Sequence, residues 1–179
     1  MLIIMRGASG SGKSTLAEHI RRFVTDQRDY VPPPMTVPLF ACLPTRRAFQ
    51  VFSADHFFMW SGVYKFDRDK LGQAHEQCMR RTIEAARGAD PEDVLVVDNT
   101  NTSLMEVLPY ARIARAYGHS VHVVEIRSRQ DTCEQMNVHD VPAKTIAHQL
   151  ENISRSYGEV SRLGTTHVID SSYIPSLQP

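Results

Sequence analysis

The most constraining feature of this chain lies at its start, where the apolar run Leu2-Ile-Ile-Met5 gives way to Gly7-Ala-Ser-Gly-Ser-Gly-Lys-Ser14. An unbroken apolar run of this kind suits a strand buried on both faces, as in a parallel sheet, rather than a half-exposed one. Beyond the glycines, Leu16, Ala17, Ile20 and Phe23 recur at the spacing of a helix with one buried face, predicting a helix from Lys13 to Val24. A strand, a glycine loop and a helix therefore open the chain.

The loop fits the pattern G-x-x-x-x-G-K-[ST] in the context that pattern requires, after a strand and opening a helix. Glycines let the backbone curl until its N–H groups converge on one phosphate, at a helix N-terminus that favours negative charge. Gly7, Ser9, Gly10, Ser11, Gly12, Lys13, Ser14 and Thr15 are thus the expected ATP-binding residues. Lys13 is expected to reach the β and γ phosphates and Ser14 to ligate Mg²⁺. ATP and Mg²⁺ follow as the expected cosubstrate and cofactor.

The remaining pattern alternates strand and helix. Strands are expected at Val51–Ala54, Asp93–Asp98, Ser120–Ile126 and Thr165–Ile169. Helices are expected at Asp67–Arg87, Leu104–Tyr117, Asp131–Asn137 and Ala143–Tyr157. The alternation predicts an α/β fold with a parallel sheet covered on both faces. Between 26 and 50 the periodicity is lost, and Pro32, Pro33, Pro34, Pro38 and Pro44 exclude a continuous helix or a central strand. At 179 residues the expectation is one domain, 1–179, with 26–50 as a proline-rich inserted loop and 127–142 as a candidate lid.

Two carboxylates stand where such a sheet presents its ligands. Asp98 ends the apolar run Val94-Leu-Val-Val, and its expected task is to hold the Mg²⁺ shell; the alternative is a helix cap, since Asn99, Thr100, Asn101 and Thr102 are all capping types. Asp55 follows the second predicted strand, at the sheet edge where open α/β folds collect ligands, and could take the proton of an attacking hydroxyl. Around it lie Phe49, Phe52, Phe57, Phe58, Trp60 and Tyr64, six aromatics within sixteen residues. Phe52 is expected in the core, whereas Phe57, Phe58, Trp60 and Tyr64 are candidates to bind an acceptor by stacking on a nucleobase. Transfer of a phosphoryl group also needs nearby positive charge, for which Arg127 and Arg129 are the best placed candidates; a solvated helix entrance is the competing reading. His139 is expected at the surface or in a hydrogen bond rather than in catalysis.

Formal net charge is zero, which gives no support for nucleic acid from global basicity. Yet of twenty basic residues only Lys13, Lys65, Lys70 and Lys144 are lysine, and arginine's planar fork suits phosphate; a GC-rich coding sequence would leave the same bias. No apolar run approaches the roughly 20 residues that span a bilayer, and no signal peptide is visible, so no membrane contact and a cytoplasmic location are expected, in the host cell if the gene is viral. Cys42, Cys78 and Cys133 show no paired spacing and are expected to be reduced, packed thiols.

Together, Gly7–Thr15, Phe52-Ser-Ala-Asp55, Tyr64-Lys-Phe-Asp67, Lys70-Leu-Gly-Gln-Ala-His75 and Val97-Asp-Asn-Thr-Asn-Thr102, with Glu106 and Pro109-Tyr110, resemble the polynucleotide-kinase-type P-loop kinases. The resemblance covers roughly residues 1–25 and 51–157. It implies a five-stranded parallel sheet in the order 2-3-1-4-5, and ATP and Mg²⁺ as cosubstrates. A hydroxyl on DNA or another polynucleotide is the implied acceptor. Asp55 matches the family's general base and Asp98 its second-strand aspartate. The sequence departs from phage 5′-hydroxyl kinases of this type at Phe58, where an arginine grips the acceptor phosphate, and at Met136, where a lid arginine precedes Asn137. Related phage kinases phosphorylate 5-hydroxymethyluridine within DNA. An aromatic in place of the clamp fits such a base-borne hydroxyl, reached by extruding the base from its stack. A small-molecule kinase and an ATP-binding switch module without transfer activity are the alternatives.

Overall fold

The computed structural model describes residues 1–25, 30–33, 36–60 and 62–175. Five parallel strands form the central sheet: β1 (Leu2–Arg6), β2 (Phe49–Phe52), β5 (Val94–Asp98), β6 (Val121–Arg127) and β7 (Thr165–Asp170). Their spatial order is β2-β5-β1-β6-β7, which counted within this sheet is 2-3-1-4-5 as expected. A separate antiparallel hairpin pairs β3 (Met59–Trp60) with β4 (Val63–Tyr64). Strands of two residues carry no periodicity, so the hairpin is invisible in the sequence pattern; its turn passes through Gly62 at φ 81°.

Every residue of β1 and β5 is buried. Alternate side chains of β1 enter opposite layers. Ile3 and Met5 pack with Leu16, Ile20 and Val24 of α1 (Lys13–Val24), and with Leu39 and Phe40 of α2 (Val37–Phe40). Leu2 and Ile4 face Cys78 and Ala86 of α3 (Leu71–Gly88), Val107 and Ala111 of α4 (Leu104–Ala116), and Val160 of α6 (Ala143–Val160). Truncating Ile3 or Ile4 to alanine in so tight a layer should cost about 2–5 kcal/mol.

Several boundaries shift for local reasons. β2 begins at Phe49, two residues before the expected start, because its ladder opens at Phe49 opposite Val94. It ends at Phe52 because Ser53 Oγ accepts the Asp55 N–H at 3.2 Å and caps a 3-10 turn, Ala54–Phe58. The helix expected from Asp67 is preceded by a second 3-10 turn, Arg68–Lys70, capped by the Asp67 side chain. The short helix α5 (Gln130–Gln135) lies within the candidate lid. In the proline-rich segment α2 forms with Pro38 in its first turn, where proline is tolerated. Residues 26–29 and 34–35 of that loop lie outside the described residues. Cys78 and Cys133 are buried, but Cys42 is exposed, against the expectation of a packed thiol, because it follows α2 in a surface turn. Among the described residues no helix is long and apolar enough to cross a membrane.

Candidate active site

The glycine loop leaves the buried end of β1 and is tied down before it turns. Arg6 is completely buried and spends its donors on five acceptors: Glu125 Oε2 at 3.1 Å, the Asn101 and Thr102 carbonyls, and, on α6, the Ile153 carbonyl at 2.7 Å and Ser156 Oγ. A buried guanidinium is tolerated only when paired and hydrogen-bonded, and this one is. Gly10 and Gly12 hold φ 78° and 94°, where a side chain would be strained, and a Cβ at Gly10 would collide with the Cys133 carbonyl of α5. The loop therefore packs directly under the candidate lid, with Ala8 in one cluster with Cys133, Ile146 and Ile153.

Ser14 Oγ donates to Asp98 Oδ2 at 2.7 Å, and Lys13 Nζ donates to the Ala8 carbonyl at 2.8 Å. Asp98 is buried; burial raises its carboxyl pKa, with Lys13 and Ser14 opposing. Burial likewise lowers the Lys13 pKa, and the charge of Asp98 opposes that. Asp98 Oδ1 and Ser11 Oγ are buried without a hydrogen-bond partner among the described residues. Orphaned buried oxygens of this kind call for an explanation, and a cation with its phosphates supplies one. Ser14 and Asp98 would hold Mg²⁺, whose chemistry there is to neutralise charge on the phosphates. Asp98 does not cap α4. Ser103 precedes that helix without a side-chain cap, while Glu106 accepts the Thr102 N–H at 2.6 Å.

The Asn-Thr-Asn segment after Asp98 has structural work. Asn99 Oδ1 accepts the Ala54 N–H at 2.9 Å, fixing the turn that carries Asp55. Asn101, at φ 46°, donates to the Met5 carbonyl at 2.6 Å. Asp55 then projects from the C-terminal end of β2, and its Oδ1 accepts the Tyr64 hydroxyl at 2.9 Å. His139 lies over the Tyr64 ring, with centroids 4.2 Å apart, and its Nε2 is 3.9 Å from Asp55 Oδ2.

Asp55 opens into a cleft of about 540 Å³ whose walls include Ser9 of the glycine loop, Tyr64, Phe66, Arg68, His75, His139 and Gln149. Sequence reading placed Asp55 and Tyr64 together, included Phe66 and His75 only within the motifs Tyr64–Asp67 and Lys70–His75, set His139 aside as a surface or hydrogen-bonded residue, and did not name Arg68 or Gln149. Gln149 carries no local signal, because α6 delivers it from the far end of the chain.

Other expected site residues fall elsewhere. Phe58 is 4% exposed and sits in a small core with Ala54 and Ala74, its ring edge-on to Phe57. It supports the turn under Asp55 and presents no face for stacking. Trp60 is 75% exposed on the hairpin and, like Phe57, does not line the cleft. Arg127 Nε donates to buried Glu125 at 3.0 Å and its guanidinium lies 5.2 Å from the Tyr157 ring centroid. Arg129 pairs with Asp131 at 2.9 Å in solvent. Neither arginine lines the cleft, and each is paired with a carboxylate, Arg127 with Glu125 and Arg129 with Asp131.

No family model matches the chain. Over 160 residues it is 29% identical to human NEDD4-binding protein 2, a match that covers 87% of this chain and 8% of that much longer protein. Among solved structures it is similar to a gluconokinase from Sinorhizobium meliloti 1021, with a TM-score of 0.54 and 18% identity over 99% of this chain and 83% of that one. It is also similar to the Mycobacterium tuberculosis APS kinase CysC in complex with AMPPNP and APS, with a TM-score of 0.50 and 18% identity over 99% and 82%. The sheet order, the glycine loop and these likenesses define the P-loop kinase fold.

Proposed function

We propose that this chain is a Mg²⁺-dependent phosphotransferase that moves the γ-phosphate of ATP to a hydroxyl on a nucleotide-containing acceptor. One observation carries the reading: Ser9 of the phosphate loop and the Asp55 carboxylate face a single cleft whose other walls include the rings of Tyr64 and Phe66 and the guanidinium of Arg68. An acceptor with a flat ring and a phosphate, the make-up of a nucleotide unit, matches that lining. In the transfer the acceptor oxygen attacks Pγ while its proton passes to the Asp55 carboxylate. The bond from Pγ to the β–γ bridging oxygen breaks, and ADP leaves. Lys13 and the loop N–H groups bind the phosphates, and Tyr64 holds Asp55 in place.

Two hydroxyls on DNA satisfy this description, the 5-hydroxymethyl group of a modified uracil such as phage genomes carry and a free 5′ end. A small-molecule acceptor is the second reading, favoured by the solved relatives, whose names are those of a gluconokinase and an APS kinase. The deciding measurement is transfer of radiolabelled γ-phosphate to three matched duplexes and to a panel of sugars and nucleosides. One duplex has a free 5′-OH, one is blocked at both ends, and one is blocked but carries internal 5-hydroxymethyluridine. Label on a duplex that Asp55→Asn abolishes, with ATP affinity retained, supports the reading. Label confined to sugars would overturn its nucleotide acceptor, and full activity of Asp55→Asn would remove the base.

A further inference from the structure

The only side chain reaching a loop N–H from outside the glycine loop, among the described residues, is Gln149. Its Oε1 accepts the Ser9 N–H at 2.9 Å. Because the partner is a donor, the orientation of the amide is fixed by chemistry: oxygen toward the loop, NH₂ away from it. That NH₂ group has no protein partner among the described residues. Gln149 and Ser9 both line the cleft that Asp55 faces. Since a phosphoryl group in transit must lie between the loop and the acceptor oxygen, Ser9 marks the end of the loop nearest to it.

The helix that carries Gln149 is unusually well fixed. One turn further along α6, the Ile153 carbonyl accepts from Arg6, and Ser156 Oγ, also bonded to Arg6, donates to the Thr102 carbonyl at 2.8 Å. Arg6 is the residue directly before Gly7, so the amide is held in register with the loop by the same buried guanidinium that anchors the loop. Donors held in advance near developing charge are the arrangement that stabilises a transition state.

We propose that Gln149 is a catalytic residue that donates from its unpartnered side-chain NH₂ to the γ-phosphoryl group while its Oε1 keeps the bond from the Ser9 N–H. This rests on the phosphotransferase reading, but its first test needs no acceptor. Affinities for ADP and for the non-hydrolysable analogue AMPPNP are measured by calorimetry with Mg²⁺ for the wild type, Gln149→Glu and Gln149→Met. Glutamate keeps an acceptor for the Ser9 N–H but has no donor; methionine keeps the length and has neither.

The expected result is a loss of about ten-fold or more in AMPPNP affinity for Gln149→Glu, a smaller loss for Gln149→Met, and ADP affinity within about two-fold throughout. With an active acceptor, kcat should fall by one to two orders of magnitude in both variants while acceptor KM holds. A mere tether for the loop predicts another pattern, with the uncharged Gln149→Met weakening ADP and AMPPNP alike and leaving kcat at saturating ATP unchanged, and that pattern would overturn the proposal. So would AMPPNP affinities that do not change in either variant. Thermal melts of the three proteins report whether folding is preserved. If wild type binds AMPPNP and labels no acceptor, the functional reading fails while the affinity comparison still decides the part of Gln149.

Discussion

The Tyr64 hydroxyl donates to Asp55 Oδ1 at 2.9 Å, tying the hairpin to the carboxylate at the end of β2. Burial, reinforced by the Asp55 charge, raises the Tyr64 phenol above its ordinary value, so it remains a donor across the working pH range. One carboxylate oxygen is thus held in place, and the other lies 3.9 Å from His139 Nε2. Tyr64→Phe keeps the ring under His139 and removes only this bond. It should lower kcat by about ten- to a hundred-fold, the order expected for one hydrogen bond to a charged group, with ATP affinity unchanged. Steady-state kinetics with a parallel nucleotide titration check this; equal losses in kcat and ATP affinity would place Tyr64 in nucleotide binding.

Asp98 accepts from Ser14 through one oxygen and leaves the other without a hydrogen-bond partner among the described residues. Asp98→Asn retains the shape but replaces a charged oxygen by an amide group facing Lys13. The Mg²⁺ concentration for half-maximal turnover should rise by about ten-fold or more, with a lower plateau, since a hard divalent cation prefers carboxylate oxygen. Titrating Mg²⁺ at saturating ATP checks it, and an unchanged midpoint would confine Asp98 to positioning Ser14.

What the sequence disclosed follows from how each feature is encoded. The glycine loop and the buried strands β1 and β5 depend on contiguous patterns, and the spacing of Leu2–Ser14 and Val94–Asp98 shows them directly, whereas the sheet order came only from the resemblance to polynucleotide-kinase-type P-loop kinases. The cleft depends on residues that only tertiary packing brings together: Tyr64 from a two-residue strand, His139 from a loop, Gln149 from α6. Aromatic clustering around Asp55 was visible, but burial separates its members. Phe58 and Phe52 are core while Trp60 is exposed, and alternation in so irregular a segment does not say which. Arg127 was selected for its place after a strand, yet the buried carboxylate at Glu125, two residues earlier, takes its Nε donor.

On adjacent strands β6 and β7, His122 and His167 stack two residues apart in the register, with Nδ1 and Nε2 3.2 Å apart. Burial, and then the proximity of His167, lower the His122 pKa from 6.5 to about 4. A base whose folded pKa is depressed binds fewer protons folded than unfolded, so stability is full above about pH 6.5 and is lost as pH falls toward 4. The loss has an upper bound of about 3 kcal/mol. Urea denaturation at pH 7 and pH 4.5 measures it, and His122→Gln should flatten the difference. An unchanged slope in that variant would assign the acid sensitivity to other groups.

Among the described residues Arg68 is the one lysine or arginine lining the cleft, and it stands near Phe66 and His75 with Asp55 on the same surface. Sequence reading found no arginine where polynucleotide kinases of this type grip the acceptor phosphate, since that position is Phe58, buried beneath the turn. On the proposed reading Arg68 would supply that charge from a different element, the 3-10 turn before α3. Arg68→Ala should raise KM for a phosphate-bearing acceptor by about ten-fold, about 1.4 kcal/mol, while kcat at saturation and ATP affinity hold. The same acceptor without its phosphate should not distinguish variant from wild type, and the salt dependence of KM should weaken in the variant because one phosphate contact is lost. Equal KM changes for both acceptors would show that Arg68 shapes the cleft without reading charge, and would return the acceptor to the neutral small molecules of the second reading.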